Sequence, residues 1–436
     1  MDMDRSPFRL LGVDQMRVRT LSLIFGACAA IGGTCTAAEE RVWTSRKGAD
    51  VTAQLLRVEG ENALLVTPEP REIKLKIEDL SLVDRQYLVE YGDANPKILS
   101  NSKLGVPEAD ARDMTREFER LKDKLELGTD AKLHFETLKT THFLVVTAGK
   151  IRPIKTAEMA ERLWRGMAFQ HLNFREDWGD KRKLVFLVEN DDAFGALGDW
   201  YKKHLETLGG DYMAKVAART RLLWDEAGST AMYLPDALVE KFGLFETALV
   251  FNIRDNAKSY GDVFGPFPTH SLASSLLSQQ MGGVADYADE GYFAITTGHS
   301  YYKEIKLAKR TETMLIDAEL YDNDDITKAE GFEDGTSWAK TLREMVRKGK
   351  VKPNLEKMFT WEQKDLTPEG LVLIYSFGYY LQSTPERMNA FAQLVRRIEY
   401  SASVPVPIEI ARIFGFKTAA EFEADWIQFI RSQNFK

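Results

Sequence analysis

Cysteine is almost missing from this chain. Only Cys28 and Cys35 carry a thiol, and both lie near its start. Beyond that segment there is no disulfide framework, no cysteine-ligated metal and no thiol nucleophile, so stability must come from core burial. Histidine is also scarce. The six are His134, His142, His171, His204, His270 and His299, and no two have the His-x-x-x-His spacing of a helical zinc pair. An excess of positive charge is lacking too. The net charge of −8 and the lack of any basic run argue against nucleic acid or an anionic membrane surface as partner. No heptad series and no repeat interrupts the pattern. With 44% hydrophobic and 28% charged residues the composition is that of an ordinary soluble protein, and 436 residues suit about two or three domains.

The first segment reads as an export signal over residues 1–37. Met16-Arg17-Val18-Arg19 is basic, Leu21 to Ile31 is apolar, and Thr34-Cys35-Thr36-Ala37-Ala38 offers small residues for cleavage. Residues 1–15 alternate in charge and do not fit a signal, which makes Met16 a candidate start. Leu21 to Ala38 is just long enough for an uncleaved anchor, but its glycines and threonines weaken that reading. Phe25-Gly26-Ala27 before Cys28 is a poor lipidation box. The expected location is outside the cytoplasm, periplasmic or extracellular, with membrane contact only if the segment stays uncleaved.

Residues 41–91 predict a small all-β barrel. Arg41 to Ser45 opens a strand, Lys47-Gly48 is a turn, and Val51 to Val58 alternates with Val51, Ala53, Leu55 and Arg57 on one face. Gly60-Glu61-Asn62 turns into Ala63 to Thr67, and Ile73, Leu75 and Ile77 alternate with lysines. Leu82 to Glu90 reads as a short helix. Residues 92–131 read as linker and helix. Polar and turn residues fill 93–108, and a helix over Glu108 to Glu126 carries Ala111, Met114, Phe118, Leu121 and Leu125 on one stripe. From residue 132 to 433 an α+β arrangement with a mainly helical C-terminal part is expected. Its parts are a strand at Thr140 to Val146, a helix at Thr156 to Phe174, and strands at Lys183 to Glu189 and Thr247 to Ile253. A helix capped by Thr269 follows, then a buried helix at Leu371 to Leu381 and a terminal helix at Ala419 to Ile430 bearing Phe422, Trp426 and Phe429.

Two resemblances follow from these residues. Arg41-x-Trp43-Thr44-Ser45, the Gly48 turn, the Val66 strand and Leu80-Ser81-x-x-Asp84-x-x-Tyr87 resemble the first Sla homology domain of endocytic adaptors, an SH3-like barrel that binds short peptides. The resemblance implies a protein- or peptide-binding module. Trp43 and Tyr87 are its candidate peptide-binding residues, with barrel core as the plainer role for both aromatics. The second resemblance rests on His142-Phe143, the long helix after it and Val185 to Val188. It continues through Thr269-His270-Ser271-Leu272-Ala273-Ser274, Glu290-Gly291, Tyr375 to Leu381 and Phe422 to Trp426. In this order they are similar to the gluzincin, peptidase-MA-like family of secreted bacterial proteins. That family carries His-Glu-x-x-His on one helix and a glutamate ligand beyond it.

The resemblance implies a fold and, equally, a lost chemistry. Ser271 stands where the general base belongs and Ser274 where the second histidine belongs. Only His270 and the third-ligand position, Glu290, remain in register. No catalytic residue and no cofactor are expected, with zinc only in a rebuilt site. Asp286 and Glu290, four residues apart, share a helical face and with His270 form a one-imidazole, two-carboxylate set for such a site. Without it, His270 reads as a capped, partly exposed helix-start residue and Glu290 as a solvated or salt-bridged helix residue. A serine nucleophile from Ser271, Ser274 or Ser275 lacks an elbow and an oxyanion hole. Asp322 to Asp325 reads as a solvated loop, without the glycine and spaced glutamate of a calcium loop. The expected function is that of an exported, non-catalytic pseudopeptidase with an adaptor-like barrel. An active hydrolase with a rebuilt site and a cell-envelope scaffold are the alternatives.

Overall fold

The computed structural model describes residues 40–436 apart from 100–105, 123, 128–132, 255–256, 282–289 and 322–325. The export signal, Asp286 and the Asp322–Asp325 run therefore lie outside the described residues. What is described is mixed α/β at first and helical towards the C-terminus.

The N-terminal unit is a four-stranded antiparallel sheet of β1 (Arg41–Thr44), β2 (Asp50–Glu59), β3 (Asn62–Val66) and β4 (Glu72–Lys76), in that order, followed by α1 (Leu82–Tyr91). Ala53, Leu55, Ala63, Leu65, Ile77 and Leu80 form its core with Trp43. The alternation along β2 breaks where the register shifts between Leu55 and Arg57. A bulge resets which residues point inward. Arg57 is therefore exposed rather than in line with Val51, Ala53 and Leu55, and Val58 turns to the core. The segment after β4 returns to β1: Ser45 pairs with Leu80, and the Ser81 amide donates to the Thr44 carbonyl. Asp84, buried at 1% exposure, locks that return. It accepts from the Thr44 amide at 2.8 Å and the Ser81 hydroxyl at 2.7 Å, and pairs with Arg41 at 2.9 Å. Ser81 in turn caps α1 by accepting from the Asp84 amide. Burial pushes the Asp84 carboxyl above its usual range, while these partners pull the other way.

The connecting segment is not one helix. It is the single turn α2 (Pro107–Asp110), a 3-10 turn at Thr115–Glu117, and two short strands, β5 (Glu119–Arg120) and β6 (Leu125–Glu126). The helical spacing of Ala111, Met114 and Leu125 is real, but a strand partner wins: β5 and β6 both pair with β7 (His134–Lys139).

The larger sheet adds β8 (Phe143–Ala148), then α3 (Ile154–Gln170), α4 (Phe174–Trp178) and β9 (Lys183–Val188). Beyond these come α5 (Asp191–Thr207), α6 (Gly210–Trp224), β10 (Ser229–Tyr233), α7 (Asp236–Phe242) and β11 (Thr247–Asn252). Strand order is β10-β11-β9-β8-β7-β5, with β6 also on β7. The central β11, β9 and β8 are parallel, and the outer β10 and β7 run antiparallel to them. One face places Val145, Val185, Leu187, Leu249 and Phe251 against α3, α8 (Pro266–Gln280) and the helices beyond. The other places Leu144, Val146, Leu184, Phe186 and Val250 against α5 and α6. Strands buried on both faces explain the unbroken apolar runs at Leu184 to Val188 and Ala248 to Phe251.

After α8 the chain is helical: α9 (Tyr292–Ala308), α10 (Trp338–Arg347), α11 (Leu355–Phe359), α12 (Pro368–Leu381), α13 (Pro385–Ser401), α14 (Pro407–Ile413) and α15 (Ala419–Arg431). α12 is buried nearly all round, as its composition predicts, and Phe422, Trp426 and Phe429 of α15 face it. α9 and α12 cross with their backbones almost touching. A Cβ on Gly378 would lie 1.9 Å from the Gly298 carbonyl oxygen and 2.1 Å from its carbon. Backbone on both sides leaves nothing to move aside. Gly378→Ala should cost at least about 2 kcal/mol by overpacking, measured by urea unfolding against the unsubstituted chain.

Candidate functional site

α8 begins earlier than the position of Thr269 suggests. Pro266 takes the first helical position and Gly265 the cap, where a Cβ would lie 1.3 Å from the Ser259 carbonyl oxygen. The cap therefore has to be glycine, and Thr269 lies inside the first turns. It is fully buried and its hydroxyl points at the Met159 sulfur rather than capping.

His270 is consequently a buried helix residue, 8% exposed, and not a partly exposed helix-start residue. Its Nδ1 lies 2.9 Å from Oε2 of Glu304 on α9, and the ring meets Tyr301 edge-on at 4.6 Å. Glu304 is fully buried and fully engaged. Its other oxygen accepts from the Glu312 amide at 2.8 Å and the Thr313 hydroxyl at 3.2 Å. Ser271, expected at a general-base position, shares a hydrogen bond of 3.0 Å with Ser229 on β10. Ser274 is half-buried. Glu290 is exposed on the turn before α9, which starts at Tyr292 after the left-handed Gly291. It is thus not a helix residue, and a shared helical face with Asp286 does not arise from it. Of the motif positions, His270 and Ser271 are held by partners on neighbouring elements, while Glu290 lies on the solvent side. Neutral hydroxyls are poor zinc donors, so this donor set does not fit a gluzincin zinc. Among the described residues no group of three His, Asp or Glu side chains stands together in a metal-binding arrangement.

Beside α8 the sheet ends in an open edge. Gly228 and Leu234 exchange backbone hydrogen bonds with the strand side of β11. Antiparallel alternation then turns the main-chain groups of Ser229 and Ala231 outward, away from the sheet, where the Thr230 hydroxyl donates to the Ala231 carbonyl. The Tyr233 amide is taken by the Tyr201 hydroxyl at 3.1 Å. A cleft of ≈ 450 Å³ lined by Asp191, Asp192, Asp199, Asp225, Arg221 and Arg254 lies against α5 and α6. Its arginines already pair with Asp191, Asp199 and Asp225.

In the N-terminal unit the two aromatic candidates separate. Trp43 is fully buried and donates its indole N–H to the Ala53 carbonyl at 3.0 Å, so it is core and no ligand reaches it. Tyr87 is half-buried. It meets Trp43 edge-on, stacks obliquely on the exposed Tyr91 at 4.8 Å, and carries the Arg41 guanidinium 4.2 Å over its ring. This unit also docks in cis. Arg175 of α4 pairs with Asp50 at 2.9 Å and donates to Thr44, Arg165 of α3 donates to the Gly48 carbonyl, and Arg46 pairs with Asp110.

Sequence reasoning missed a polar cluster inside the helical part. Lys303 of α9 is buried and bonds Glu108 of α2 at 2.7 Å and Gln170 at 2.7 Å. Nearby, His171 and His299 are buried with ring centroids 6.2 Å apart, both against Phe391, and their ring nitrogens find no well-formed hydrogen bond among the described residues. Charged and imidazole groups set within the apolar run Tyr292 to Leu307 were the signal available. Burial, then the Lys303 charge, pushes His171 down to about 3 and His299 well below its ordinary value. No family model, no curated protein and no solved structure matches the chain.

The histidine pair predicts an acid-sensitive fold. In the unfolded chain both rings bind protons near pH 6.5, whereas in the folded chain they stay neutral until far lower pH. The unfolded state therefore binds more protons below about pH 6.5, and stability falls with falling pH by up to about 2.7 kcal/mol per unit for the two rings together. Urea midpoints between pH 7.5 and 5.5 should fall, and His171→Leu with His299→Leu should flatten that fall. An unchanged slope in the double variant would show that other groups carry it.

Proposed function

We propose that this chain is an exported, non-catalytic binding protein. In this reading an SH3-like adaptor module is joined to a gluzincin-like domain that has kept its fold and lost its metal chemistry. The carrying observation is the hydrogen bond of Ser271 to Ser229. The position that would activate water is instead a hydroxyl tying α8 to the edge strand, beside outward-facing main-chain groups of Ser229 and Ala231. An extended peptide adding to that edge gains main-chain hydrogen bonds without needing a metal. The Tyr87, Tyr91 and Arg41 surface of the N-terminal unit supports a second contact for a protein or peptide ligand. The ligand in this reading is peptide and not nucleic acid.

The alternative of an active hydrolase has one observation in its favour. A carboxylate on the Nδ1 of a histidine, as Glu304 is on His270, is the arrangement that orients metal-binding imidazoles. Metal content of the mature chain by mass spectrometry separates the two. We expect substoichiometric zinc and no cleavage of a generic protein substrate with or without added zinc. About one ion per chain, lost in His270→Ala, together with chelator-sensitive cleavage, would replace the proposal with the alternative. Peptides selected for binding to the full chain should lose affinity about tenfold on Ala231→Pro, which removes an outward amide from the edge. Titration by fluorescence anisotropy checks this.

A further inference from the structure

His171 and His299 pose a hydrogen-bonding problem that the side chains around them do not solve. His171 ends α3, His299 lies within α9, and both are buried. Burial keeps both rings neutral, so each carries one N–H donor and one bare nitrogen acceptor. None of the four ring nitrogens has a well-formed bond to the described residues. Gln382, just past α12, is buried beside them. Its Nε2 donates to the Gly378 carbonyl at 2.9 Å, and its Oε1 faces His299, again without a well-formed bond. Phe391 of α13 supplies an apolar wall, with its ring 5.5 Å from that of His171 and 5.9 Å from that of His299. Lys303, one turn beyond His299, is close enough for its charge to act on both imidazoles. Two of its three N–H groups are engaged by Glu108 and Gln170.

Packing alone does not explain this pair. Two leucines would fill the place without burying donors and acceptors that lack partners, which is unfavourable. The spacing narrows the answer. The ring centroids are 6.2 Å apart, with the planes at 73°. A direct N–H···N bond would bring the centroids to about 5 Å. A tetrahedral ion held by one nitrogen of each ring would also set them about 5 Å apart, given ordinary metal–imidazole bonds. A water that accepts from one ring and donates to the other sets them about 6 Å apart at its tetrahedral angle. The Lys303 ammonium also opposes a cation, and among the described residues no third imidazole or carboxylate joins the pair in a metal-binding arrangement. We propose that His171, His299 and Gln382 form a buried water site, in which one water bridges the two imidazoles and donates to Gln382 Oε1. That water makes three bonds, the usual number for an interior water. One nitrogen of each ring is left over, which suits a short file of about two waters. The file joins α3, α9 and the end of α12 through solvent rather than through direct contacts.

The test uses the full chain as purified. Oxygen-17 relaxation dispersion of the solvent counts interior waters of long residence. We expect the double variant His171→Leu with His299→Leu to hold about two fewer per chain than the parent. An unchanged count in a cooperatively folded double variant overturns the proposal. A crystal structure of the parent chain reads the same site without any substitution, and decides alone if the double variant does not fold. A water within hydrogen-bonding distance of both rings supports the proposal. A direct bond between the rings, or a metal ion coordinated by them, overturns it.

Discussion

The buried ion pair between Lys303 and Glu108 ties α2 to α9 in the interior of the molecule. Neither side chain sees water, so removing either one leaves an uncompensated charge, at a cost of about 3–5 kcal/mol. Glu108 also fills the space that a side chain at position 166 would take, since a Cβ on Gly166 would lie 2.1 Å from its carboxylate. One short helical turn is thereby pinned to α3 and α9 at once. Arg162 reinforces it by donating to the carbonyls of Glu108 and Ala111. From that anchor the chain reaches the N-terminal sheet through Arg46 and Asp110 and through the Arg112 amide on the Lys47 carbonyl. The segment between the two sheets thus acts as a bracket, and the orientation of the N-terminal unit follows from it.

Much of the fold was legible where burial is one-sided or complete. The alternation at residues 51–55 and 73–77, the apolar strands at 184–188 and 248–251, and the buried helix at 371–381 all appear as local periodicity. Residues 108–126 were not legible because their helical spacing of apolar residues is outweighed by pairing with His134–Lys139, which local pattern does not show. The start of α8 turned on proline and on a glycine pressed against Ser259, whereas the hydroxyl of Thr269 proved to be interior.

The site divides along the same line. His270 and Ser271 stood out because they are neighbours in one short segment of the sequence. Glu304, thirty-four residues away, meets His270 only because α8 and α9 pack side by side. Lys303, one position before it on α9, serves the bracket instead. Adjacent charged residues on one helix therefore serve separate polar networks, one at His270 and one at the connecting segment. Trp43 illustrates the opposite case: a residue conspicuous in the sequence whose chemistry is spent wholly inside the core.

The open edge of β10 is short. Residues 229, 231 and 233 turn their main-chain groups outward, but the Tyr233 amide is claimed by Tyr201 and the Ala231 carbonyl by the Thr230 hydroxyl. A strand this abbreviated is a poor template for stacking one chain upon another, since self-propagating sheets need long, flat, uninterrupted edges. The tyrosine that trims it therefore also acts as a guard against aggregation, leaving an edge too narrow to seed a fibre.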